Sequence, residues 1–169
     1  MKTNLEKEIT RIANAIVGLV ERTDGPVTLA RVQQEIAGFA KHAPPAWGYG
    51  ITHSGRVISF WDDMTEAGAA ALRKVIRERR VAIQFVSVLR YLLDGYVIKD
   101  EDWQPIVLLP ARAANVDSQN WYLRVPQKMY EHFARQAAEG KTNLRLLTPH
   151  YVGATADGFF DVNTREDAA

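Results

Sequence analysis

Residues 47–61 decide the fold, and they read WGYGITHSGRVISFW. Aromatic and β-branched residues alternate on both sides of residues 53–56, His-Ser-Gly-Arg, which have turn composition, so the stretch predicts a β-hairpin. Because both faces of this hairpin carry apolar groups, one face is expected to need cover from the second half of the domain or from another subunit. The predicted partner-binding surface consists of four aromatic side chains: Trp47, Tyr49, Phe60 and Trp61.

The sequence before the hairpin predicts two helices. Apolar residues recur every three or four positions through residues 4–22, and Thr3 with Glu6 fits a capping box at the start of this helix. The Asp-Gly-Pro turn at residues 24–26 ends it, and a shorter helix is predicted over residues 29–36. We expect the first helix to pack its apolar stripe against the second and third helices.

The sequence after the hairpin predicts a third helix and then a strand-rich half. Residues 67–80 form the third helix, which Asp63 and Glu66 are expected to cap. One further helix is predicted to begin at Pro126 and to stop at Gly140. The predicted class is α+β, an N-terminal helix–helix–hairpin–helix unit packed with the strand-rich half. The strand candidates of that half are residues 81–88, 96–98, 106–109, 121–125 and 144–147.

Length and composition predict one compact domain. The chain has 169 residues, of which 47% are hydrophobic and 24% charged, the balance of an ordinary globular protein. We predict a single α+β domain over residues 1–153, with possible lobes at 1–80 and 81–153. From residue 154 to 169 the composition becomes small, polar and acidic, which is typical of a mobile tail.

Composition also limits the cellular compartments and the types of chemistry that are expected for this chain. The chain has no cysteine, which excludes disulfides and thiolate chemistry. It has no apolar run of the roughly 20 residues that cross a bilayer, and Glu6 and Glu8 interrupt any apolar signal core. We therefore expect a cytoplasmic protein without a membrane partner. Arg outnumbers Lys by 14 to 7 and alanine is abundant, which is typical of a bacterium with GC-rich DNA.

Residues 3–80 resemble the winged-helix superfamily in their order of elements. The likeness is carried by residues 25–36, GPVTLARVQQEI, by the wing-like stretch 52–57, THSGRV, and by residues 64–68, MTEAG. The resemblance implies a helix–strand–helix entry followed by a wing. It departs from DNA-reading members between the second helix and the wing, where residues 39–46 contain two prolines and leave no room for a normal recognition helix. The resemblance thus implies a shape more than DNA reading.

Charge gives a second indication of a nucleic-acid partner. Residues 1–93 hold 13 Lys and Arg against 9 Asp and Glu, a net charge of +4, whereas residues 94–169 hold 8 against 11, a net charge of −3. The alternative is that the basic residues of the third helix are its solvated face and complement its dipole. DNA remains a possible but not a favoured partner. The candidate phosphate contacts are Arg56, Arg73, Lys74, Arg77, Arg79 and Arg80.

No catalytic, cofactor or metal motif is present in the sequence. The four histidines lack metal-ligand spacing, and the acid clusters at residues 62–63 and 100–102 are explained by capping and by a charged loop. We therefore predict no cofactor, no metal and a noncatalytic binding module, either a protein-interaction domain or a nucleic-acid adaptor. A homodimer or another protein is the expected partner. The alternative is a small enzyme with scattered His and carboxylate groups, in which His150 is the best candidate base.

Overall fold

The fold is α+β, as predicted. The computed structural model describes residues 3–41, 46–53, 56–98, 103–111, 123–142, 145–147, 151–153 and 159–161. Its helices are α1 Asn4–Arg22, α2 Leu29–Glu35, α3 Glu66–Arg77, α4 Val88–Leu93 and α5 Gln127–Ala138. Its strands are β1 Val27–Thr28, β2 Trp47–His53, β3 Arg56–Met64, β4 Val81–Phe85, β5 Ile106–Pro110, β6 Leu123–Arg124, β7 Arg145–Leu147, β8 Tyr151–Gly153 and β9 Phe159–Asp161.

The described strands form three antiparallel sheets of three strands each, in the orders β1-β5-β4, β3-β2-β9 and β6-β8-β7. Strand β1 belongs to the first half of the chain but pairs with β5, where Val27 lies opposite Leu108. Strand β9 returns from the C-terminal region to pair with β2, the first strand of the predicted hairpin. Two of the three sheets therefore join early and late parts of the chain.

The first and third helices begin with different caps. Thr3 and Glu6 form the predicted capping box. The amide of Thr3 donates to the Glu6 carboxylate at 2.8 Å, and the amide of Glu6 donates to the Thr3 hydroxyl at 3.2 Å. Asp63 does not cap α3, contrary to the prediction. That role belongs to Thr65, whose hydroxyl accepts a hydrogen bond of 2.8 Å from the amide of Gly68. Asp63 instead lies one residue before the end of β3 with a positive φ of 62°, a conformation that Asp tolerates better than most residues.

Gly68 allows the start of α3 to touch the segment that follows α2. A Cβ atom on this residue would lie 2.2 Å from the backbone oxygen of Phe39, which is closer than real Cβ contacts come. The amide of Thr65 donates to the same oxygen at 3.0 Å, and the Phe39 side chain is fully buried. This close approach fixes α3 against the first half of the chain.

The main core lies between α1 and α3. Ile12, Ile16 and Leu19 of the predicted apolar stripe have no exposed surface, and α1 packs against α3 as expected. Its contact with α2 is slighter than predicted and includes an ion pair of 3.0 Å between Arg22 and Glu35. The α3 side chains that share this core include Leu72, Val75 and Ile76.

The predicted strand over residues 81–88 is wrong at its C-terminal end. Strand β4 stops at Phe85, and the amide of Val86 donates to the carbonyl of Pro105 at 3.0 Å. Ser87 then caps a helix, because its hydroxyl accepts a hydrogen bond of 3.3 Å from the amide of Leu89. Helix α4 was not predicted, and residues 96–98 form no strand.

The remaining predictions for the second half are met in part. Helix α5 has Pro126 as its N-cap, buries Phe133 and is followed by Gly140 with a positive φ of 68°. Within the segment predicted as a mobile tail, residues 159–161 form β9, which is paired with β2. Residues 154–158 and 162–169 lie outside the described part of the chain.

The winged-helix likeness stays an expectation. Between α2 and β2 the structure describes residues 36–41 and 46, and these contain no helix. No recognition helix is therefore present among these described residues, which agrees with the departure noted in the sequence.

Candidate interaction surface

The aromatic side chains of the hairpin lie mainly in the core. Tyr49 and Phe60 have no exposed surface, Trp61 is 1% exposed, and Trp47 is partly buried. Tyr49 and Phe60 contact each other edge to face with ring centroids 5.2 Å apart. The exposed aromatic surface expected at the hairpin is therefore not formed by Tyr49, Phe60 and Trp61. Burial also raises the pKa of the Tyr49 hydroxyl, so this group stays protonated.

The second half of the chain supplies the cover that the hairpin needs. Tyr91 of α4 lies 6.0 Å from Trp61 between ring centroids, and Tyr96 and Trp103 lie 4.9 and 5.4 Å from it. Of the two covers considered from the sequence, the domain's own second half is the one present. The hairpin therefore needs no second subunit to bury these rings.

Helix α4 is tied to the region around β1 by side-chain hydrogen bonds. The buried Tyr91 hydroxyl accepts from the amide of Leu29 at 3.2 Å and donates to the carbonyl of Ile106 at 2.7 Å. Asp94, which follows the helix, accepts from the hydroxyl of Thr28 at 2.6 Å. Arg90 donates to the carbonyl of Pro26 at 2.8 Å. A helix of six residues is thus held at a fixed place on the fold.

The opposite side of α4 is apolar and exposed. The exposed fractions are 49% for Val88, 64% for Leu89, 47% for Leu92, 79% for Leu93 and 58% for Val97 just beyond the helix. We call these five residues the α4 patch. In the part of the chain that the structure describes, Leu5 at 42% is the only other large apolar residue in this exposure class. Apolar residues that are exposed together on one side of a helix mark a candidate contact surface.

An aromatic and acidic rim adjoins the α4 patch at Tyr96, which precedes Val97 in the chain. The rings of Tyr96 and Trp103 are stacked, with centroids 6.0 Å apart and planes inclined by 11°. Asp62 holds this arrangement, because its carboxylate accepts from the indole N–H of Trp103 at 3.2 Å and from the hydroxyl of Ser59 at 2.6 Å. Tyr96 and Trp103 are partly buried and Asp63 is exposed. We call Asp62, Asp63, Tyr96 and Trp103 the acidic rim.

The carboxylates of the acidic rim influence the ionisation of Tyr96. Burial is the main cause that raises the pKa of the Tyr96 hydroxyl, and the negative charges of Asp63 and Asp62 raise it further. Tyr96 therefore stays neutral at physiological pH while the two carboxylates provide negative charge beside it. The rim combines the face of an aromatic pair with an acidic edge.

Among the basic residues of α3 and of the segment that follows it, two are engaged with other side chains. Lys74 is hydrogen bonded to Glu78, and Arg80 donates to the side-chain oxygen of Asn14 at 3.1 Å. Arg77 and Arg79 are exposed, and Arg73 is partly buried. These contacts fit the solvated helix face that was the alternative to phosphate binding. Arg56 lies in β3, and its side chain is outside the described part of the structure. DNA binding stays a prediction.

An open cleft near the C-terminal end of α1 contains no histidine among its lining residues. It has a volume of about 460 Å³ and is lined by residues 21–25, 109 and 110. His132 is instead exposed on α5, and His150 lies outside the described residues. Within the described ranges, no three His, Asp or Glu residues are grouped as metal ligands. The enzyme alternative stays a prediction.

The fold and the surface define an α+β chain with a short, exposed apolar helix beside an acidic rim. Comparisons with protein-family models, with curated proteins and with solved structures found no match to this chain. Among the described helices, none has the length and apolar character to cross a bilayer. Function must therefore be inferred from the chain's own residues.

Proposed function

We propose that this chain is a protein-binding module and that its docking surface is the α4 patch. The observation that supports this is the exposure of four large apolar side chains on one short helix and of a fifth, Val97, four residues after it. Water contact with that much apolar surface is unfavourable, and burial of a Leu side chain contributes about 1.5–3 kcal/mol. A partner that covers the patch gains this free energy.

The size of the patch favours a short apolar segment of another protein as its occupant. Helix α4 has six residues and is about 9 Å long. The largest exposed apolar patch on a typical monomer covers on the order of 300–600 Å², whereas a standard interface buries about 800 Å² on each partner. The α4 patch is therefore better matched to one amphipathic helix than to a large two-fold contact.

The rigidity of the surface also supports recognition. Tyr91, Arg90 and Asp94 attach α4 to the segment around β1 through buried or partly buried hydrogen bonds. A surface that is already ordered loses little conformational entropy when a partner binds.

A labelled helical peptide tests the proposal. Its apolar side carries leucines at helical spacing and its polar side carries glutamines, so that it probes the patch without charge. Fluorescence anisotropy should show binding to the wild type, and the double variant Leu92→Ser, Leu93→Ser should bind about tenfold more weakly or worse. The matched control is Leu5→Ser, which removes an exposed leucine from α1 and should bind like the wild type.

Two results would count against the proposal. Equal peptide affinity in the wild type and the double variant would exclude the α4 patch as the docking surface. Sedimentation of the protein at tens of micromolar tests whether a second copy of the chain occupies the patch. A wild-type dimer that the double variant loses would show that a second copy of the chain, and not a partner segment, covers the patch.

A further inference from the structure

We infer that the acidic rim selects a partner segment that carries a basic side chain, Arg or Lys, next to its apolar residues. This inference rests on the proposed docking surface and specifies what binds there. Its basis is the position of the rim, since Tyr96 joins the stacked ring pair to Val97 of the α4 patch.

The geometry of the rim fits a cation with an apolar stem. Arg and Lys place their methylene groups on apolar surface while the charged end reaches polar groups. The face of a Trp or Tyr ring attracts such a cation. In this chain, the stacked rings of Tyr96 and Trp103 provide that face, and the exposed carboxylate of Asp63 provides the ion-pair partner.

Asp62 and Asp63 have different parts in this arrangement. Asp62 is a positioning residue, because both of its carboxylate oxygens accept hydrogen bonds, one from Ser59 and one from Trp103. Asp63 follows it with a positive φ of 62°, and it is exposed at the end of β3. Asp63 is thus the carboxylate that a docked cation would reach.

The same charges oppose a partner of the opposite sign. An acidic side chain held beside Asp62 and Asp63 would be repelled, and like charges across an interface are a common source of specificity. The rim therefore discriminates between two segments that have the same apolar residues but opposite charge.

Three labelled peptides with one leucine pattern test the inference. Their polar sides carry Gln alone, Gln with Lys, or Gln with Glu. The wild type should bind the Lys peptide about two- to fivefold more tightly than the Gln peptide, as expected for one exposed ion pair with a cation–π contact, and the Glu peptide least tightly. Raising the salt from 0.05 to 0.5 M should reduce this difference.

Variants distinguish the effect of the acidic rim on peptide binding from the effect of the α4 patch. Asp63→Asn retains a residue type that tolerates positive φ, and it should bring the Lys peptide close to the Gln peptide while leaving the Gln peptide unchanged. Trp103→Leu should also reduce the preference for Lys. The charge-matched control is Glu139→Gln after α5, which should keep the preference.

The outcomes distinguish this inference from the proposed function. Equal binding of all three peptides, with the patch variant still defective, overturns the selection of a basic segment and leaves the docking surface intact. Equal loss of the Lys and Gln peptides in Asp63→Asn also overturns it. Absence of binding by every peptide overturns the docking surface itself.

Discussion

The hairpin β2–β3 and helix α4 are both rich in large apolar side chains, but these are mostly buried in the hairpin and mostly exposed on α4. Tyr49, Phe60 and Trp61 of the hairpin are buried, whereas Leu89 and Leu93 of α4 are largely exposed. The two elements are also in contact, because the inner side of α4 places Tyr91 against Trp61. One side of α4 completes the core of the hairpin, and the other side is exposed.

This comparison shows that apolar content alone does not locate an interaction surface. What matters is whether the rest of the chain supplies a cover. Rings at positions 91, 96 and 103 cover the hairpin, and no described residue buries the outer side of α4. The contrast can be tested by substitutions on each side of it.

The largest expected effect is at the hairpin. Trp61→Ala removes a fully buried indole from contact with Tyr91, Tyr96 and Trp103, and it should lower the free energy of unfolding by about 3–5 kcal/mol. Urea denaturation measures this change. Trp47→Ala is the comparison within the hairpin, and it should cost less because Trp47 is only partly buried. A cost below 1 kcal/mol for Trp61→Ala would show that the hairpin is not part of the core.

A smaller effect is expected where α4 meets the core. Tyr91→Phe keeps the ring but removes the hydroxyl that bonds Leu29 and Ile106, and it leaves a buried amide and a carbonyl without that partner. The expected cost is about 1–3 kcal/mol. The control is Tyr96→Phe, which keeps the ring contacts of a partly buried residue and should change stability less. Equal costs for the two variants would mean that the hydroxyl of Tyr91 does not anchor α4.

Local signals in the sequence predicted much of the fold. The Thr3–Glu6 capping box, the apolar stripe of α1 and the turn at residues 53–56 each act over a few residues, and the helix and the hairpin form as expected. Helix α5 after Pro126 is a further case. Such elements can be predicted because their determinants are neighbours in the chain.

The interaction surface could not be predicted because it depends on distant contacts. The cover of the hairpin comes from Tyr91, Tyr96 and Trp103, which lie 30 or more positions after Trp61 in the sequence. The missed signal for α4 was Ser87, a good N-cap before Val88, Leu89 and Arg90. The β-branched residues of 81–88 have strong β-propensity, so they favoured a strand prediction through residue 88 and the helix start at Ser87 was missed.

The smallest expected effect on stability is at the outer side of α4. Leu93 is 79% exposed, so Leu93→Ser loses little buried surface and should change the free energy of unfolding by less than about 0.5 kcal/mol. The same urea titration measures it, and the dye ANS, which binds exposed apolar surface, should bind the variant less than the wild type. The buried counterpart is Leu72→Ser in α3, which should cost several kcal/mol because it places a hydroxyl in the core. If Leu93→Ser instead destabilised the protein by more than 1.5 kcal/mol, Leu93 would already be covered in the free protein, and the contrast between the hairpin and α4 would fail.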